Sequence, residues 1–171
     1  EKNRGVGISA NHPLSTSIID SFLHAGFTVR AYRDPNAMKW SKMLSNLLGN
    51  ASSAILNLPP LRIFANPGLF SLEIRQLREA INVMQALHLK PVDLPGTPVK
   101  ALSFVTQYLP LRLARSIMYQ AVGKGRGDKM PSFHIDLYSG SKQSEVDFLN
   151  GAVVRYGERL GVDVRVNNYL N

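Results

Sequence analysis

The sequence predicts a mainly α-helical chain with a short strand–helix–strand segment at its N-terminus. Two observations predict this. From Asp34 onward, apolar residues recur at helical spacing, and capping residues and prolines punctuate the segments. Before Asp34 the pattern changes to two short β-rich runs around one helix. With 171 residues, 44% of them hydrophobic, the chain can bury the core of one domain, or of one domain and a fragment.

Residues 1–33 come first. Gly5 to Ser9 reads as a short strand. Pro13 to Ala25 reads as a compact helix closed by Gly26. Phe27 to Arg33 alternates like a strand, with β-branched and aromatic residues. Too little is present to cover a sheet on both faces. Residues 1–33 are therefore expected to be the remnant of an α/β domain, and 34–171 a helical domain of five to seven helices.

Asp34 to Pro60 reads as one long helix. Asp34 suits the N-cap, Pro35 the first helical position, and Pro59-Pro60 a stop. Trp40, Met43, Leu44, Leu47, Leu48, Ala51, Ala54, Ile55 and Leu58 form its apolar stripe. At about 100° per residue, Lys42, Asn46, Asn50, Ser53 and Asn57 share the opposite side. No residue from Met43 to Leu61 is charged. A solvated helix face is ordinarily rich in Glu, Lys and Arg, so a face of small uncharged polar groups with one lysine reads as the wall of a polar cleft. The bland alternative is an ordinary solvent face.

Leu61 to Phe70 reads as a connector. Ser71 can cap a helix from Leu72 to about Leu87, with Ile74, Leu77, Ile81, Met84 and Leu87 inward and Arg75, Arg78 and Glu79 outward. Lys90 to Thr97 is a proline-rich connection. Thr97 can cap a helix to about Leu109 with Ala101, Leu102 and Val105 inward. Pro110 interrupts, and a further helix runs to about Val122. Gly123 to Asp128 reads as a loop without the spacing of a phosphate-binding motif. Ser132 to Gly140 makes a short helix. Ser144 can cap Glu145 to Leu160, with Val146, Leu149, Val153, Tyr156 and Leu160 as its stripe and Gly161 closing it. Asn167 begins another helix.

Several function classes find no support. There is no cysteine, which excludes disulfides and thiolate chemistry and fits a reducing, cytoplasmic setting. His12, His24, His88 and His134 have no ligand spacing, so no metal site is expected. No nucleophile elbow occurs. No apolar run is long enough to span a membrane. The net charge of +8 favours anionic partners, but the cations are spread out, and no nucleic-acid partner is expected. Lys42, Asn46, Asn50 and Glu145 remain. The first three span about 12 Å along a helix, the size of a small organic substrate. A cleft lysine can donate a proton and stabilise a developing oxyanion. Glu145, at a helix N-terminus, can also be a simple partner of the helix dipole.

Lys42-x3-Asn46-x3-Asn50, then Ser132-x3-Asp136 and Ser144-Glu145-Val146-Asp147-x2-Asn150-Gly151, resembles the C-terminal domain of the ketopantoate reductase (2-dehydropantoate 2-reductase) family. That family has a K-x3-N-x3-N helix and an S-x3-D…T-E-I-D-x2-N-G segment. The resemblance implies a helical bundle like the C-terminal domain of 6-phosphogluconate dehydrogenase. It makes residues 1–33 the tail of an NADP-binding Rossmann-like domain. It implies reduction of a 2-oxo acid by NADPH, the cofactor being bound mainly by an N-terminal domain that this chain lacks. Lys42 maps to the proton donor, Asn46 and Asn50 to substrate-positioning asparagines, and Ser132 to the serine that binds the substrate carboxylate. Glu145 maps to the acidic residue near cofactor and lysine. The chain departs from the family at Asn50-Ala-Ser-Ser-Ala54, where Asn-Pro-Leu-Thr-Ala is usual. A further family asparagine falls near Pro60, with Asn57 close but not aligned.

Two rival readings stand beside this one: a related reductase of a different oxo or hydroxy acid, and a non-catalytic helical binding module. The chain alone is expected to be inactive. Its apolar content permits a helix-mediated homodimer.

Overall fold

The computed structural model describes residues 5–125, 129–140 and 145–171. Strand β1 (Val6–Ser9), helix α1 (Ser15–His24) and strand β2 (Val29–Tyr32) form the N-terminal segment. The two strands pair in parallel, Val6 with Val29 and Ser9 with Tyr32. The buried Tyr32 ties this unit to the helical body, its hydroxyl donating to the Asp93 carbonyl at 2.8 Å. The body consists of nine helical segments among the described residues: α2 (Pro35–Leu47), α3 (Asn50–Leu56), α4 (Pro60–Ala65), α5 (Pro67–Ala86), α6 (Val99–Tyr108), α7 (Leu111–Gly125), α8 (Ser132–Tyr138), α9 (Val146–Leu160) and α10 (Arg165–Leu170). The expected mainly α architecture is present, with more helices than the sequence pattern predicted.

The surplus has two causes. The single long helix expected over 34–60 is broken in two. Leu48 is extended and Gly49 is left-handed (φ 66°), which ends α2 and starts α3 in a new direction. The expected connector 61–70 is itself helical. Pro60 sits in the first turn of α4, and Asn66 caps α5 by accepting the N–H groups of Gly68 and Leu69 at 2.9 and 3.1 Å. A proline at the first helical position starts a helix as readily as it stops one.

Helix α5 is the centre of the body. Phe70, Ile74, Leu77, Ile81 and Met84 are fully buried and pack with Leu44, Leu47, Ile63, Phe64 and Val153 in one cluster. Each such side chain contributes about 1.5–3 kcal/mol by leaving water. Phe64 meets Phe70 edge to face at 5.7 Å. Val122 closes the same core from α7. Helix α7 continues through Gly125, beyond the loop start expected at Gly123. Arg126 to Asp128, and the expected cap Ser144, lie outside the described residues.

A buried polar strut runs through this core, and the sequence pattern did not indicate it. Glu73, Gln76, Asn150 and Asn167 are all 0–1% exposed. Glu73 accepts from Gly49 N–H at 2.7 Å, from Ser52 Oγ and from Gln76 Nε2 at 2.8 Å. Asn150 Nδ2 donates to Gln76 Oε1 and to Asn167 Oδ1, each at 3.1 Å. Asn167 Nδ2 donates to Gln76 O and Glu79 Oε2. Glu79, expected to face outward, instead caps α10 by accepting the N–H groups of Val166 and Asn167 at 2.8 Å each. The strut thus links the break after α2 to α5, α9 and α10. Buried polar groups are tolerated because each finds partners.

Two helices match their expected apolar stripes only in part. Helix α6 buries Val99, Ser103 and Thr106; Leu102 and Val105 pack against the core as expected but stay half-buried, and Ala101 is exposed. Its first turn is held by Asp93, which accepts the Lys100 N–H at 2.8 Å, rather than by a Thr97 side-chain cap. Helix α9 buries Asn150, Gly151, Val153, Val154 and Gly157, and leaves Tyr156 and Leu160 exposed. Its glycines allow the close approach: a Cβ on Gly157 would stand 2.3 Å from Val164 Cγ1.

Candidate functional site

Helix α2 positions the first two candidates. Asp34 accepts the N–H groups of Asn36 and Ala37 at 2.9 and 3.0 Å and fixes the helix start. Ser41, Leu44 and Leu47 hold one face in the core. Lys42 and Asn46, one turn apart, are left on the opposite face, Lys42 exposed and Asn46 half-buried.

The two residues stand on a ridge between two grooves. The first groove, about 370 Å³, lies between α2, α6 and α7; its walls include Lys42, Ser45, Asn46, Leu102, Ile117 and Met118. The second, about 310 Å³, lies between α2 and α9, with Lys39, Trp40, Met43, Phe148 and Tyr156 beside Lys42 and Asn46. Lys42 and Asn46 are the residues common to both. Trp40 and Tyr156 meet edge to face at 5.4 Å on its floor. Among the described residues, the charged side chains lining the two grooves are Lys39 and Lys42. Such walls favour an anionic ligand.

Asn50 lies elsewhere. The break at Leu48-Gly49 moves it from the α2 face to the first turn of α3, where it is 4% exposed and lines neither groove. The continuous lysine–asparagine–asparagine face expected over two turns is therefore one turn long.

Ser132 and Glu145 are brought together. Ser132 Oγ donates to Glu145 Oε2 at 3.0 Å, joining the start of α8 to the N-cap position of α9. Both are exposed. Glu145 precedes Phe148 and Leu149 by one helical turn and shares their face of α9, the wall of the second groove. Neither Ser132 nor Glu145 lines the first groove. A nearby pair was not anticipated: His134 Nε2 lies 2.7 Å from Asn57 Oδ1, and its ring stacks on Tyr138 at 4.3 Å. These contacts dock α8 on the end of α3.

One titratable group beneath the site is displaced from its ordinary range. Burial pushes the Glu73 carboxyl up, and the donors Ser52, Gly49 and Gln76 pull it partly back. It supports the break after α2 rather than facing a groove. Among the described residues, no cluster of three or more His, Asp or Glu side chains could hold a metal ion, and no helix is long and apolar enough to cross a membrane.

The arrangement offers a cationic proton donor, a neutral amide beside it, and a hydroxyl–carboxylate pair one turn from the second groove. Known proteins are similar to this chain in sequence and fold. Residues 34–171 match the family model described as "Ketopantoate reductase PanE/ApbA C terminal". The chain is 30% identical over 167 residues to a 2-dehydropantoate 2-reductase of Pyrobaculum aerophilum, covering 98% of this chain and 52% of the relative. It is 27% identical over 147 residues to a 2-dehydropantoate 2-reductase of Archaeoglobus fulgidus, covering 85% of this chain and 42% of that one. A crystal structure of a PanE/ApbA family ketopantoate reductase from Ralstonia eutropha superposes with a TM-score of 0.75 at 26% identity, over 98% of this chain and 49% of that one. The chain thus spans about half the length of the curated relatives it matches.

Proposed function

The chain belongs to the ketopantoate reductase family, and from that premise we propose that it is the substrate-side half of an NADPH-dependent reductase of a 2-oxo acid. The observation that carries the proposal is the ridge of Lys42 and Asn46 between two grooves whose charged groups are lysines. A 2-oxo acid has a carboxylate for such walls and a carbonyl oxygen that gains charge as it is reduced. Lys42 protonates that oxygen from Nζ, and its charge stabilises the oxyanion before the proton moves. Asn46, one turn along, holds the substrate by its amide without adding charge. Ser132 binds the substrate carboxylate. Without substrate the single O–H of Ser132 donates to Glu145; on binding it turns to the substrate carboxylate, and Glu145 faces the cofactor side. In this reading Asn50 acts through the start of α3, as a positioning residue.

A nicotinamide, when bound, supplies the hydride to the carbonyl carbon. Among the described residues, β1 passes into α1 through Ala10-Asn-His-Pro-Leu14, without the glycine-rich turn that cradles a dinucleotide. We assign that cradle to a nucleotide-binding half, of which residues 1–33 are the last part, and the site residues named here to residues 34–171. The 171 residues alone are then inactive.

The test is steady-state reduction of ketopantoate with NADPH by the protein that includes its nucleotide-binding half. Lys42→Ala is expected to lower kcat by about 10²–10⁴-fold. Unchanged turnover in that variant would take the lysine out of the mechanism.

A further inference from the structure

Helix α6 rests Leu102 and Val105 against the core cluster yet leaves both only half-buried, open to the first groove. An amphipathic helix ordinarily buries its apolar stripe. Here Ser103 and Thr106 face the core, 7% and 0% exposed, while Ala101, Leu102 and Val105 line the first groove. The buried Thr106 Oγ1 makes no hydrogen bond among the described residues. On the opposite wall, α7 buries Ala114, Met118 and Val122 and presents Ile117 and Ala121 to the groove, Ile117 being 48% exposed. The groove therefore has apolar walls on α6 and α7 and a polar end at Lys42, Ser45 and Asn46. Ser45 Oγ already donates to the Lys42 carbonyl at 2.7 Å, which leaves Lys42 Nζ and the Asn46 amide to meet a ligand. Its volume of about 370 Å³ falls in the range of small-molecule pockets, about 300–1,000 Å³, which are mostly apolar with a few placed polar groups.

We infer that this groove takes the apolar side chain of the oxo acid, so that the substrate class is 2-oxo acids with a long or aromatic apolar substituent rather than the small, hydroxylated ketopantoate. The inference rests on the reductase reading for the position of the carbonyl at Lys42. With the carbonyl there, the carboxylate turns to the second groove and the substituent runs between α6 and α7. Ala101 and Ala121 keep the path open, because larger side chains at either position would fill it.

The experiment has two arms. In the first, the protein with its nucleotide-binding half reduces 2-oxooctanoate, 4-phenyl-2-oxobutanoate and ketopantoate. The expected result is a higher kcat/KM for the two apolar acids. Ala121→Phe, and independently Ala101→Phe, should lower the ratio of kcat/KM for 2-oxooctanoate to that for ketopantoate by about tenfold or more. In the second arm, amide chemical shifts of the 171-residue chain are followed as 2-oxooctanoate is added. Shifts are expected on α6 and α7, and Ala121→Phe should abolish them. Ketopantoate turnover with a ratio unmoved by both variants, and no shifts on α6 and α7, overturns the inference and leaves the reductase reading standing. Shifts in the groove without turnover of any 2-oxo acid overturn the reductase reading and keep the apolar groove as a ligand site.

Discussion

Gly49 donates its backbone N–H to Oε2 of Glu73 at 2.7 Å, across the break between α2 and α3. The contact fixes where α2 stops, and so which residues stay on the Lys42 face. Glu73→Ala would leave the buried Gly49 N–H and the Ser52 hydroxyl without their acceptor. Each orphaned group costs about 1–3 kcal/mol, so the chain should lose about 3 kcal/mol or more, read as a fall in the urea midpoint. A midpoint within error of the parent would show that the break does not depend on this carboxylate.

The same carboxylate should make stability depend on pH. Burial, the largest cause, raises the Glu73 pKa, so the folded chain keeps the proton where the unfolded chain has lost it. The stability contributed by protonated Glu73 is fully present below the ordinary glutamate value of about 4.3 and is lost as pH rises through the folded value. Ser52 can accept the carboxyl proton in that form, and Glu73→Gln mimics it, with an amide that donates to Ser52 and accepts from Gly49. Urea midpoints measured against pH should fall on this rise for the parent and stay flatter for Glu73→Gln. Parallel curves would count against the raised pKa.

How legible this was in the sequence depends on how far apart the partners lie. The Asp34-Pro35 start of α2 and the one-turn spacing of Lys42 and Asn46 were readable, because both signals sit within a single turn. The break was not. Gly49 looked like one more small residue on a polar face, and its partner Glu73 lies on another helix. Asn50 was accordingly expected on the groove face and is found buried in α3. Ser103 and Thr106 were passed over because an apolar stripe is assumed to fill the whole inward face; Leu102 and Val105 do pack on the core, but these two polar residues are buried beside them. The family motifs pointed to Ser132 and Glu145 separately, and only the fold joins them.

Gly157 is required by packing rather than by backbone conformation. It is buried in α9, and an added Cβ would meet Val164 Cγ1 at 2.3 Å. Helix propensity alone would make Gly157→Ala stabilising by about 1 kcal/mol. Overpacking at this contact should outweigh that and give a net loss of about 1–3 kcal/mol. Adding Val164→Ala should recover part of it, since the two positions share the contact. A thermal melt in which Gly157→Ala alone is stabilising would refute the argument.

The Ser132–Glu145 hydrogen bond gives the sharpest test of the proposed site. Both side chains are exposed, so removing either should change stability by no more than about 0.5 kcal/mol. Any loss of activity can then be assigned to the site and not to folding. If Glu145 holds the Ser132 hydroxyl until it turns to the substrate carboxylate, Ser132→Ala should raise KM for the 2-oxo acid by about tenfold, the cost of one charge-assisted hydrogen bond. Glu145→Ala should lower kcat/KM as well. The two losses should not multiply, because each single change already breaks the bond through which they act. The measurement is a double-mutant cycle on kcat/KM. A double variant whose loss equals the product of the single losses would mean that the two residues act independently and that the bond is incidental to the reaction.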